Sequence, residues 1–422
     1  MQQVPSIPSL LREYEALYES QEARILDSKR RIALALHAQE VDQIPVIQYS
    51  QAILFPRHEI FYSREKNLVQ QLLSINLTLE HMTDYVPFLD PFEGVTVMAE
   101  AFGCHVTIPE NGDPWVREPI IREPEEVYSL SKPRIDNPVY SRVIETLRFF
   151  EEQTNGLLPV ACTDPQGPLD VALLMWESSS FLTALLERPR EVHHLLELIT
   201  EAFIEFYSLQ LEVLRHPALP GHSFPLAGLS DGISISDDAV VLLSPELFEE
   251  FDKPYLERIS QAFGGLYYHS CGDFGACLDG ILSIPGLRAI NGHLSPRELK
   301  PEYLRRIVER GIGVFVGISD PSVGWENPEF QDPIELYENY YLPEVLRNTD
   351  GKGVVLTGYG SYSGYLHTHH SLGNITIDAS GHGIEGSTLL NVPLAKKNEG
   401  FQRILSLLRQ FLEKGDPLKG SC

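Results

Sequence analysis

His269 and Cys271 stand two residues apart at the end of the apolar, aromatic run "GGLYYHSCG". If that run is a strand, alternate side chains share a face, so an imidazole and a thiolate project into one volume. These are two donors of a metal site. Zinc takes such ligands at roughly 2.0–2.3 Å and, in a catalytic site, needs a third protein ligand and an open position. The pair reads equally as two buried strand-end side chains making hydrogen bonds, and spacing alone leaves both readings open.

A second group lies in "HSFPLAGLSDGISISDDAVVLLSPELF", which brings His222, Asp231, Asp237 and Asp238 ahead of a helix. Carboxylates gathered at a strand end bind cationic groups or N–H donors, or assist proton transfer. They also serve as loop and cap residues, because Asp and Ser satisfy free amides at helix starts. His222 and Asp237 are candidate catalytic groups. Asp164, Asp231 and His293, near the ends of compact apolar runs, are candidate substrate-binding groups. The segment "LTGYGSYSGYLHTHHSLGNITIDASGHG" clusters His367, His369 and His370, either to complete a metal site or as a polar loop over a pocket mouth. Its "GSYSG" misses the serine hydrolase elbow, since Tyr362 holds the nucleophile's place.

Of the remaining cysteines, Cys277 is expected in a helix starting near Phe274, facing away from the strand end. Cys104 and Cys162 read as buried small hydrophobes and Cys422 as an exposed tail residue. Five cysteines, odd in number and unevenly spaced, do not form a disulfide framework, and a reducing cytoplasm is the expected compartment. The sequence has no phosphate loop, no dinucleotide fingerprint and no H-E-x-x-H. Thirty-three basic against fifty-nine acidic residues give a net charge of −26, which repels nucleic acid and anionic membranes. Neither an export signal nor a membrane span is expected.

The elements that must position these groups alternate in kind. Compact apolar runs, "IPVIQY", "GLLPVAC", "GGLYYHSCG", "LRAINGHLS", "GIGVFVGI" and "GVVLTGYGS", read as parallel strands covered on both faces, with polar residues at their carboxyl ends. Between them lie helical stretches, notably 181–214 and 244–263, each expected as one helix; the second is capped by Ser244 with Pro245 in its first turn. This alternation predicts an α/β TIM (β/α)8 barrel with an N-terminal helical extension and loop insertions, a doubly wound sheet being the alternative. The helical arm is expected over 1–24 and the barrel over 25–422.

The segments "RRIALALHAQEVDQIPV", "EAFGCHVTIPENGDPWVREPII", "SDDAVVLLSPELFEEFDKPYLERI", "HSCG" and "GISDP" resemble the uroporphyrinogen decarboxylase superfamily, and more closely its cobamide-dependent methyltransferases. The resemblance runs from about residue 25 to 412 and is strongest over 231–272. It implies a TIM barrel with its site at the carboxyl face. It also implies a zinc, held by His, Cys and a later Cys, that presents an acceptor thiolate to a methyl group on a corrinoid cobalt. His269 and Cys271 match the first two ligands. Tyr359, in "LTGYGS", occupies the place of the later Cys and is expected to line the pocket with Asp237. The third ligand then comes from His222 or one of His367, His369 and His370, or the site has no metal.

The implied activity moves a methyl group between a corrinoid, or a methylated small molecule, and a thiol or pterin. The implied partners are a corrinoid protein and a second copy of the chain as a homodimer. Two alternatives remain. One is metal-free decarboxylation of a tetrapyrrole or smaller acid, using Asp164, Asp231, Asp237 and His222. The other is a barrel that binds a corrinoid or tetrapyrrole without transforming it. The arginine-rich segment of the true decarboxylases is missing; "IPVIQYSQAIL" stands in its place.

Overall fold

The computed structural model describes residues 4–49, 52, 54–80, 82–110, 112–215, 231–293, 299–318, 342–359, 375–377 and 383–385. Ten strands are described: β1 Val46–Tyr49, β2 His105–Thr107, β3 Trp115–Glu118, β4 Ile233–Ser236, β5 Leu266–His269, β6 Leu287–His293, β7 Gly313–Ile318, β8 Val354–Tyr359, β9 Ile375–Ile377 and β10 Gly383–Glu385. The chain divides into two compact units, residues 1–54, 69–87 and 289–422 in the first and 55–68 and 88–288 in the second.

In the first unit the strands run β1-β8-β7-β6, all parallel, with Val46 opposite Leu356 and Val314 opposite Val354. The runs "IPVIQY", "GIGVFVGI" and "GVVLTGYGS" thus become strands as their composition predicts. Over them packs a thirty-residue helix, Ile7–Leu36, opened by the Ser6 cap and Pro8 in its first turn. Its sequence has no glycine or later proline to interrupt it, so it runs unbroken through residue 24, where the arm was expected to end. Gly313 lets this helix seat closely, since a Cβ there would lie 2.6 Å from the Leu36 Cα.

The helix is tied to β1 by charge. Arg31 and Ser28 both donate to Asp84 Oδ1, and the Val46 amide donates to Asp84 Oδ2 at 3.0 Å. Arg31 also reaches Asp42 at 3.0 Å. Arg31 and Asp84 are both buried. Removing one member of such a pair strands the other without a counter-charge.

The second unit carries the parallel pair β4-β5, with Ser236 opposite His269. In the run "GLLPVAC" Val160 forms a parallel bridge with Leu89, and Pro159 beside it has no N–H to give to a longer ladder. A second bridge joins Gln166 to Ser236. Around these strands lie helices Pro138–Thr154, Pro168–Met175, Ser178–Glu187, Pro189–Val213, Pro245–Phe251 and Lys253–Phe263. Trp176, Tyr140, Phe150, Phe203 and Phe206 fill the space between helices, the rings of Tyr140 and Phe206 stacked at 4.0 Å. β2 and β3 form an antiparallel hairpin on this unit.

Two stretches expected as single helices are each broken in two. The first breaks at Arg188, before Pro189, and the second at Asp252, ahead of Pro254. A proline ring clashes with the carbonyl four residues back and has no N–H to give, so the first helix ends and a new one begins with proline in its first turn. No helix among the described residues is long and apolar enough to cross a membrane.

Replacing Asp84 by Ala is expected to lower stability by about 3–5 kcal/mol, measured as a drop in the urea midpoint at pH 7. A loss below about 1 kcal/mol would mean that the pair behaves as a surface ion pair.

Candidate metal centre

β5 ends at His269, and the chain continues through Ser270 and Cys271 into a loop. β4 ends at Ser236 and turns at once into a short 3-10 helix, Asp238–Leu242. Because β4 and β5 are parallel with Ser236 beside His269, these two carboxyl-end connections emerge side by side. His269 Nε2 lies 3.0 Å from Cys271 Sγ. The Cys271 amide donates to Asp238 Oδ1 at 2.6 Å. One donor atom each from Asp238, His269 and Cys271 falls within 4.8 Å of the other two. His269 is buried, while Asp238 and Cys271 are partly accessible.

Gly272 belongs to the same arrangement. A Cβ on it would sit 2.4 Å from Val241 Cγ1, so with any other residue the Val241 side chain would have to shift for the loop after β5 to close against the turn after β4. "HSCG" is therefore a close-packing motif as well as a donor motif.

Behind the strands is a layer of buried acids. Tyr268 and His269 are consecutive on β5 and point to opposite faces. Asp237 lies on the Tyr268 side, accepting the tyrosine hydroxyl at 2.6 Å, while its own amide donates to the His269 carbonyl at 2.9 Å. Asp252, at the proline-induced helix break, is buried beside Asp237. Burial, and then the neighbouring Asp252, push the Asp237 carboxyl well above its usual range, against the pull of the Tyr268 hydroxyl. Burial likewise raises Asp252, to about 7. Asp170, in helix Pro168–Met175, accepts the amides of Asp238 at 2.8 Å and Ala239 at 2.7 Å. Burial raises its carboxyl too, and Asp238 and Asp237 add to that, with the two amides pulling the other way.

Asp237, expected to line the pocket, is thus fully buried in the layer behind His269. Asp231, expected to bind substrate, precedes β4 at the end away from the triad and is mostly exposed in an ion pair with Arg288 at 2.7 Å. The strand length between residues 231 and 237 separates the two acids that the sequence had grouped. Asp164 does lie beside the carboxyl end of β4: the Pro165 carbonyl accepts from the Ser236 amide at 2.9 Å, and the Gln166 amide donates to Asp164 Oδ2 at 2.9 Å. His293 and Tyr359 are the last residues of β6 and β8 in the first unit. His222, His367, His369, His370 and Cys422 lie outside the described residues.

Cys277 precedes helix Leu278–Leu282, with its sulfur turned toward the Val240 and Leu243 carbonyls, and burial pushes its thiol up to about 12. Cys104, raised to about 11, and Cys162 are buried as expected. The sequence reading missed Asp170 and Asp252, and took Asp238 for a cap or binding carboxylate where the structure gives a third donor. The signals were Pro254 inside a helical pattern and the position of Asp238 immediately past a strand end.

The parallel α/β architecture is that of the (β/α)8 barrel class, and the donor cluster lies at the carboxyl ends of β4 and β5. The family model for uroporphyrinogen decarboxylase (URO-D) matches residues 27–214. The uroporphyrinogen decarboxylase of Xanthomonas campestris pv. campestris (strain B100) is 23% identical over 245 residues, covering 55% of this chain and 64% of that protein. That of Schizosaccharomyces pombe is 27% identical over 194 residues, covering 44% and 49%. The matches thus span less than two thirds of these relatives' lengths. A methyltransferase from Methanosarcina mazei has the same fold, with a TM-score of 0.57 at 19% identity over 80% of this chain and 93% of that one. Residues 27–214 are thus similar to the uroporphyrinogen decarboxylase family, and the fold to that of the methyltransferase.

The raised carboxyl of Asp252 sets a pH dependence. The folded state holds its proton up to about pH 7, whereas an unfolded Asp releases it near 4. Stability contributed by that proton is present at low pH and lost as pH rises between these values, because the folded state binds more protons there. Asp237, Asp170 and Tyr268 face the same group. Asp252→Asn should flatten the fall in urea midpoint between pH 5 and pH 8, and an unchanged slope would mean that Asp252 does not titrate in this window.

Proposed function

We propose that the protein is a methyltransferase in which His269, Cys271 and Asp238 hold a zinc ion. The methyl group passes between a corrinoid, carried on a partner protein, or a methylated small molecule, and a thiol or pterin acceptor. The observation that carries this reading is the convergence of an imidazole nitrogen, a sulfur and a carboxylate oxygen within 4.8 Å. A borderline-soft dication takes that mixed set, and the two anionic ligands, thiolate and carboxylate, balance its charge. The partial accessibility of Asp238 and Cys271 fits an open fourth position for substrate. Asp238 also answers the missing third ligand, since the place of the later cysteine is held by Tyr359.

When bound, zinc supplies Lewis acidity that lowers the pKa of a coordinated thiol and keeps it anionic at neutral pH. His269 would offer Nε2, the ring nitrogen that lies 3.0 Å from Cys271 Sγ. Asp238 holds the Cys271 backbone through the 2.6 Å amide contact, so two of the three donors are fixed to one another. Asp164, kept in place by Gln166, would meet the polar end of a substrate entering over β4.

A metal-free decarboxylase is the second reading, supported by the decarboxylase family model over residues 27–214 and by the decarboxylase relatives. Activity on a porphyrinogen that persists in chelator would favour it.

Purified protein should contain about one zinc per chain by elemental analysis, and Cys271→Ser and Asp238→Asn should lose it. With methylcobalamin and a simple thiol, the wild type should convert the methylcobalamin absorption spectrum to that of the demethylated corrinoid, and Cys271→Ser should not. Wild-type protein that neither contains nor regains zinc would overturn the reading.

A further inference from the structure

We infer that Asp170 is the positioning residue of the metal centre: from helix Pro168–Met175 its carboxylate grips two consecutive amides of the turn that presents Asp238. This rests on the metal reading above and goes beyond it, since Asp170 offers no donor atom to the triad. The two contacts, 2.8 Å to the Asp238 amide and 2.7 Å to the Ala239 amide, engage one carboxylate oxygen each. Two bonds to successive amides fix the turn's direction as well as its distance, which one bond would leave free to pivot.

The turn buries Ala239 and Val240, and Asp170 holds its first two amides. It follows a four-residue strand, spans only Asp238–Leu242, and leaves Val241 and Leu242 largely exposed. Its opposite side is closed by the loop after β5, where Gly272 admits Val241. From Asp170 the order passes through the Asp238 backbone to the Asp238 carboxylate, and from Oδ1 of that carboxylate to the Cys271 amide at 2.6 Å. A single buried acid therefore aligns two of the three donors. The helix that carries it begins at Gly167, where a Cβ would press against the Ser236 carbonyl at 3.1 Å, so Asp170 is brought directly beside the end of β4.

The test is metal affinity measured on the full chain. Zinc dissociation constants come from competition with a chromogenic chelator, and the sulfur-to-metal charge-transfer band is read after loading with Co²⁺ alone. Asp170→Asn keeps one acceptor oxygen and turns an N–H₂ toward the other amide; Asp170→Ala removes both acceptors. Zinc affinity is expected to fall about 10-fold to 100-fold in Asn and further in Ala, with the Co²⁺ band weakened or shifted in step and the far-ultraviolet dichroism unchanged. Should the Ala protein not fold, the Asn protein carries the comparison. Wild-type affinity and an unaltered band in Asp170→Asn would overturn the inference while leaving the metal reading intact. Failure of the wild type itself to bind zinc or Co²⁺ would overturn both.

Discussion

The parallel register of β4 against β5 is the constraint from which the rest of the site follows. With Ser236 beside His269, the residues immediately past each strand end are neighbours, and the alternation of side chains sends them to two separate layers. His269 and Cys271 meet the Asp238 carboxylate in one layer, while Tyr268 and Asp237 meet in the other. A shift of one residue would exchange the layers, burying the imidazole among acids and turning a phenol toward the donors. The strands are short, but adjoining backbone bonds extend the register at both ends, from the Ile233 amide to the Gly265 carbonyl and from the Asp237 amide to the His269 carbonyl.

The layer behind the strands shows how backbone chemistry places charge. Asp252 occupies a position that an uninterrupted helix would have turned along its own surface. Pro254 ends the helix early, and the residue at the break faces inward against Asp237. Three acids then share a space that water does not reach, and the low dielectric makes it costly for all of them to be ionised together. For Asp170 two amide donors offset part of that cost, one to each carboxylate oxygen.

Much of this was legible in the residues. The period of the apolar runs located β1, β5, β6, β7 and β8, and the H-x-C spacing at a strand end found two of the three donors. Cys104, Cys162 and Cys277 were read correctly as packing residues because none had a polar partner in sequence. What sequence could not give was distance. Asp238 and Cys271 are 33 positions apart, and only the β4-β5 pairing makes them neighbours. Asp231 and Asp237 looked like one acidic group because they are close along the chain, yet a strand runs between them and carries them to opposite ends. The two long helical stretches read as continuous because apolar periodicity survives a break, and the prolines that divide them were weighed as first-turn residues only at Ser244-Pro245.

The wide sequence separation of the donors also bears on biogenesis. While the chain is being made, the carboxylate and the imidazole–sulfur pair belong to an open loop, and any ion caught by one of them is held by one or two atoms. The three donors meet only once helix Lys253–Phe263 has formed and β5 has docked beside β4, so under the metal reading proposed above loading would come late in maturation. A ribosome that has not released the segment beyond residue 271 carries a polypeptide in which these three donors have not yet met.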